Sequence, residues 1–126
     1  MEDKLRIMVV DDEEQVRGVV CENLSACGFD VVYARDGQEA LNMIDEGIHQ
    51  PQIVITDIIM PRKEGLEVIM ELRRRHPDIR LIAISGGGRT KSADFLHLAK
   101  KLGADAILPK PLDIDMLEKT VRELVA

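Results

Sequence analysis

The sequence predicts an α/β fold built on a parallel sheet with helices on both faces. Three observations predict it. Short apolar runs of strand length alternate with segments of helical periodicity along the whole chain. The runs are nearly continuous in Ile, Val and Leu, as strands buried on both faces are. The 126 residues suit one domain, and an apolar content of 45% is enough for its core.

Leu5–Val10 reads as the first strand, broken only by Arg6 and ending in Asp11-Asp12. Val16, Val19, Val20 and Leu24 follow at helical spacing, and Gly28 closes that helix. Asp30–Ala34 is a second strand. Asp36 is placed to cap a second helix through Ala40, Leu41 and Ile44, ending near Gly47. Gln52–Asp57 is a third strand that again ends in an acid. Leu66, Ile69, Met70 and Arg73 lie along a third helix, which His76-Pro77 stops. Arg80–Ser85 is a fourth strand, followed by the sterically permissive Gly86-Gly87-Gly88. Ser92–Leu102 is a fourth helix closed by Gly103, with Phe95, Leu98, Ala99 and Leu102 on its inner side. Ala104–Leu108 and Leu112–Val125 complete the pattern as a fifth strand and fifth helix. The alternation uses residues 1–126, leaving nothing for a second domain.

Composition excludes several function classes. There are 17 basic and 23 acidic residues, a net charge of −6, so sequence-independent nucleic-acid binding is not expected. Phe29, Tyr33 and Phe95 are too few for a base-stacking platform. Cys21 and Cys27 are six positions apart and the three histidines are scattered, which speaks against a zinc site or a disulfide. Two free thiols suit a reducing cytoplasm. Ile7–Val10 is too short for a signal peptide, and no apolar run approaches a membrane span.

Ligands of such sheets bind beyond the carboxyl ends of the strands. The residues there are Asp11 and Asp12 after strand one, Asp57 after strand three, Ser85 after strand four and Lys110-Pro111 after strand five. Clustered carboxylates repel one another unless a cation joins them. Mg²⁺ suits an open site of oxygen ligands. A carboxylate can also act as nucleophile and form an aspartyl phosphate. Lys110 and Mg²⁺ would supply positive charge to phosphoryl oxygens, and the Ser85 hydroxyl a hydrogen bond.

Asp11-Asp12, Asp57 followed by Met60-Pro61, Gly65, Ser85 and Lys110-Pro111 together resemble the response-regulator receiver family of two-component signalling, over essentially the whole chain. The resemblance implies a flavodoxin-like (βα)5 doubly wound sheet of order 2-1-3-4-5. It makes Asp57 the phosphoacceptor, with Asp12, Asp57 and the backbone carbonyl of Ile59 as direct Mg²⁺ ligands. Asp11 acts mainly through water, and Ser85 and Lys110 hold the phosphoryl group. A cis Lys110-Pro111 bond is implied as well. The donor would be a sensor histidine kinase or a histidine phosphotransfer protein. The output would be a downstream protein target on the face of helix four, strand five and helix five. The chain would be a cytoplasmic switch rather than an enzyme acting on an external substrate, with no nucleic acid or membrane as partner. The Met1 start and the helix running to the end favour a lone receiver.

Some positions depart from the family. Ser85 replaces the frequent Thr and keeps the hydroxyl. Ile107 stands where an aromatic is frequent, which speaks against an aromatic-rotamer switch. Ile59 stands where a polar side chain is frequent. Ile59 also separates the chain from haloacid-dehalogenase-type phosphatases, which carry a second Asp two residues after the nucleophile. Plainer readings exist. Asp11 and Asp12 could merely cap helix one, and Asp57 could cap a strand end. Gly86–Ser92 lacks the glycines of a phosphate-binding P-loop at Ser85 and Thr90. Arg73-Arg74-Arg75 reads as cations at a helix C-terminus. His97, Lys100 and Lys101 read as a solvated helix face.

Overall fold

A computed structural model describes residues 4–47, 50–57, 64–85, 97, 100–101, 103–109 and 112–125, with backbone alone at 64–66, 68 and 85. The elements are β1 (Arg6–Val10), α1 (Glu14–Ala26), β2 (Asp30–Ala34), α2 (Gly37–Asp45), β3 (Ile53–Asp57), α3 (Glu64–Arg75), β4 (Arg80–Ser85), β5 (Ala106–Pro109) and a C-terminal helix (Ile114–Val125). The five strands pair in parallel in the order β2-β1-β3-β4-β5, which bears out the expected doubly wound sheet.

Strand alternation divides the core in two. Met8, Val10, Val54, Leu81 and Ala83 face Ala40, Leu41 and Ile44 of α2 and Ile69 and Leu72 of α3. Ile7, Val9, Ile53, Ile55, Ile82 and Ile84 face Val20 and Leu24 of α1 and Leu117 and Val121 of the C-terminal helix. The central strands bury both faces, which is why their sequences lack polar alternation.

Local chemistry sets the helix ends. Cys27 ends α1, and Gly28 follows at φ +96°, a left-handed conformation that favours glycine. Asp36 caps α2 as expected, its Oδ1 accepting the Glu39 N–H at 2.8 Å. The C-terminal helix starts at Ile114 rather than Leu112, because Asp113 caps it: Asp113 Oδ1 accepts the N–H of Asp115 (2.9 Å) and of Met116 (3.2 Å). Strand five starts at Ala106 rather than Ala104. Just before it, the Asp105 side chain accepts the Leu81 N–H at 2.8 Å. Val19 sits at helical spacing with the core residues of α1 yet is exposed. Of the expected fourth helix, His97, Lys100 and Lys101 are described, and all three are helical and exposed.

Arg73 does more than complement a helix terminus. Its Nε and Nη2 donate to the Gly103 carbonyl (3.2 and 2.7 Å), and its Nη1 donates to those of Pro77 (2.8 Å) and Ile79 (3.2 Å). Nη2 also pairs with Asp105 Oδ2 at 2.8 Å. Gly103 has φ +120°, and a Cβ there would meet Arg73 Nε at 3.0 Å, so glycine is what lets the fork approach. Arg74 and Arg75 pair instead with Glu71, and Arg75 and His76 with Asp45.

Candidate functional site

Sheet register brings the acidic residues level. Val10 pairs with Thr56, so Asp11 and Asp57, the next residues, leave neighbouring strands at the same height. Both are nearly closed to solvent at 5% exposure, whereas Asp12 is exposed. Asp57 continues the row of Ile53 and Ile55, on the sheet face covered by α1 and the C-terminal helix. On the far side of Asp57, its partner Ile84 precedes Ser85, and Ser85 pairs with Pro109, the residue before Lys110. The backbone of Ser85 thus lies at the same edge. Its side chain, Ile59, Lys110 and the Lys110-Pro111 bond lie outside the described residues.

Asp11 does not cap α1. The residue before α1 is Glu13, and its side chain makes no capping bond. Asp11 Oδ1 instead accepts the Glu13 N–H at 2.9 Å, two residues on, which folds the acidic turn back on itself. Thr56, also buried, donates to the Asp57 carbonyl at 3.3 Å. Two carboxylates buried this deeply at one edge are held by cations or by hydrogen-bond donors.

One buried cation escaped the sequence reading. Arg17 of α1 is 9% exposed, and its Nη1 donates to the Asp11 backbone carbonyl at 3.0 Å. Its guanidinium carbon lies 4.7 Å from the centroid of the Tyr33 ring. Arg17, Val20 and Leu24 form the buried stripe of α1, so a charged residue at an apolar spacing was the available signal. Cys21, one turn on, feels two opposed effects. Burial pushes its thiol pKa up, and the Arg17 charge offsets part of that rise.

The donor set suits a hard divalent cation. Asp11, Asp12 and Asp57 offer carboxylate oxygens at one sheet edge, and Mg²⁺ binds through one or two carboxylates and keeps several waters. Among the described residues, no three or more His, Cys, Asp or Glu side chains are grouped closely enough to hold a metal ion by themselves, so a cation here would rest on one or two carboxylates and water. Cys21 and Cys27 are free thiols. Among the described residues no helix is long and apolar enough to cross a membrane.

Comparison with known proteins gives a consistent result. Residues 7–122 match the family model of the response regulator receiver domain. The chain is 35% identical over 119 residues to the sensor kinase CckA of Brucella abortus, covering 94% of this chain and 12% of that protein. It is 36% identical over 121 residues to the response regulator MprA of Mycolicibacterium vanbaalenii, covering 96% of this chain and 50% of that protein. It therefore spans half or less of the length of these relatives. Among solved structures, the receiver domain of NtrX from Brucella abortus superposes with a TM-score of 0.84 at 31% identity, covering 93% of this chain and 95% of that one.

Proposed function

The chain belongs to the response regulator receiver family of two-component signalling, and from that premise we propose that it works as a phosphorylation-dependent switch with Asp57 as phosphoacceptor. The observation that carries this reading is the pair of buried carboxylates, Asp11 and Asp57, leaving neighbouring strands at one height. A sensor histidine kinase or a histidine phosphotransfer protein would be the donor. An Asp57 carboxylate oxygen forms the new bond to phosphorus as the phosphorus–nitrogen bond of the donor's phosphohistidine breaks, and the leaving imidazole nitrogen takes up a proton. Mg²⁺, when bound, neutralises charge on the phosphoryl oxygens. Asp12, Asp57 and the Ile59 carbonyl would hold it directly, with Asp11 acting through water.

The Ser85 hydroxyl and Lys110 ammonium would bind the phosphoryl oxygens from the β4 and β5 side. The strand ends support this, since Ser85 is paired with the residue that precedes Lys110. Phosphorylation would then draw the segment after Ser85 inward. That changes the face formed by the fourth helix, β5 and the C-terminal helix, where a downstream protein would bind. We read residues 1–126 as one receiver unit, acting in the cytoplasm.

Phosphate incorporation from acetyl phosphate tests the reading. The wild-type chain should incorporate phosphate only with Mg²⁺, at a single residue that mass spectrometry of the reduced adduct places at Asp57. Stoichiometric incorporation by Asp57→Ala would refute the assignment.

A further inference from the structure

Among the described residues, four polar or charged side chains are buried: Asp11, Arg17, Thr56 and Asp57. Three lie on the strand ends of the site. Arg17 comes from α1, and the phosphoryl-transfer reading gives it no role. Burying a guanidinium is costly unless the surroundings use its charge and donors. Here it donates to the Asp11 carbonyl at 3.0 Å and stacks on Tyr33 at 4.7 Å.

The placement has a specific consequence. The Asp11 carbonyl belongs to the planar peptide that joins Asp11 to Asp12. Fixing that carbonyl fixes the plane from which the Asp12 side chain departs. The Asp11 carboxylate is meanwhile tied to the Glu13 N–H at 2.9 Å. The turn that carries both acids is therefore pinned at the Asp11 carbonyl and at its carboxylate. Tyr33, on β2, supports the guanidinium across its face while staying 53% exposed itself.

We infer that Arg17 is a positioning residue for the acidic pair: clamped on Tyr33, it holds the Asp11–Asp12 peptide so that the carboxylates present a divalent-cation site. The inference rests on the reading of Asp11, Asp12 and Asp57 as an Mg²⁺-supporting site. Its sign is opposite to that of simple electrostatics. A buried positive charge repels a second cation, so removing Arg17 would tighten Mg²⁺ binding if charge alone mattered. Positioning requires the reverse. Groups that orient metal ligands are worth roughly ten- to a hundredfold in metal affinity, and a backbone contact belongs near the low end.

The test is an Mg²⁺ titration of the full chain, followed by amide NMR shifts, with no phosphodonor present. Arg17→Met, which keeps bulk but no charge or donor, should weaken Mg²⁺ about tenfold. It should also move the metal-free Asp12 and Glu13 amide resonances. Tyr33→Phe keeps the stack and should bind as wild type, whereas Tyr33→Leu should bind more weakly. Equal or tighter binding by Arg17→Met overturns the inference and leaves the site reading standing. If Arg17→Met does not fold, the tyrosine pair decides: equal affinities for Phe and Leu overturn it. If the wild type binds no Mg²⁺, or Asp57→Asn binds it equally well, the site reading and the inference fall together.

Discussion

Replacing Arg73 by methionine should destabilise the fold by about 3 kcal/mol, and replacing it by lysine should recover less than a third of that loss. The guanidinium has five N–H donors, and its contacts run to the Gly103, Pro77 and Ile79 carbonyls and the Asp105 carboxylate. These are not equivalent. The contact with Pro77 is exposed, so water replaces it at little cost. Asp105 keeps the Leu81 N–H when the arginine goes, so its carboxylate is not stranded. The part-buried contacts with Gly103, Ile79 and Asp105 remain, at about 1 kcal/mol each once partial exposure is allowed for. For a chain of 126 residues, about 3 kcal/mol lowers Tm by roughly 11 °C. Thermal unfolding followed by circular dichroism measures this directly. Lysine offers a point charge that cannot reach carbonyls on both sides of the fork, so its variant should melt close to the methionine one. The fork lies beside Leu81 and Asp105, away from the strand ends that carry Asp11 and Asp57, so phosphate incorporation should survive below Tm. A loss of Tm under about 3 °C for methionine, or wild-type stability for lysine, would refute the reasoning.

Three further outcomes follow from the sequence and the side-chain network. Partners hold the Glu39, Asp45, Glu71 and Glu118 carboxyls below the ordinary carboxylate range, chiefly hydrogen bonds from Arg35, His76, Arg74 and Arg122 respectively. A lowered folded-state pKa contributes stability that is full above the unfolded carboxylate range and is lost as pH falls through the folded values. Urea midpoints should therefore fall on acidification below that range, and 0.5 M salt, roughly a Debye length of 4 Å, should shrink the effect because these pairs are exposed. Ile59 offers no hydrogen bond to a water attacking the phosphoryl group, so the phosphorylated form should be long-lived. Ile59→Asn should shorten its decay several-fold without any phosphatase, and equal or slower decay would sink the idea. Amide exchange protection at 85–98 should rise with beryllofluoride and Mg²⁺, and an unchanged profile would remove the proposed inward movement after Ser85.

The fold was legible because its strands are short, nearly unbroken apolar runs with unambiguous stops. Ile53–Asp57 and Arg80–Ser85 could hardly be anything but buried strands, and Asp36 announced its helix by the capping position it holds. What the sequence hid were side chains acting in place of backbone. Asp113 sets the start of the last helix and Asp105 borders the start of β5, and neither belongs to a motif that singles it out in the sequence. Val19 and Arg17 show the same limit on α1. Helical spacing groups Val19 with Val16, Val20 and Leu24, but the buried stripe runs through Arg17, Val20 and Leu24. The strand-end acids were readable because topology fixes where strand ends lie. The cation behind Asp11 was not, because its value depends on a carbonyl and a ring that only the folded chain brings to it.

The place of β1 in the sheet also governs how the chain can assemble as it is made. β1 is first in sequence but lies between β2 and β3. A nascent chain that has emerged only as far as Ala34 can pair β1 with β2, yet the other edge of β1 still presents unpaired backbone groups beside Ile7 and Val9. Those groups are satisfied only when Ile53–Thr56 arrives, after the whole of α2 has been synthesised. At about 5–20 residues per second, that leaves an open strand edge for a second or more during translation. A chaperone or the ribosome surface would meet this protein in that interval, with the future neighbour of Asp57 already in place and its own strand still to come.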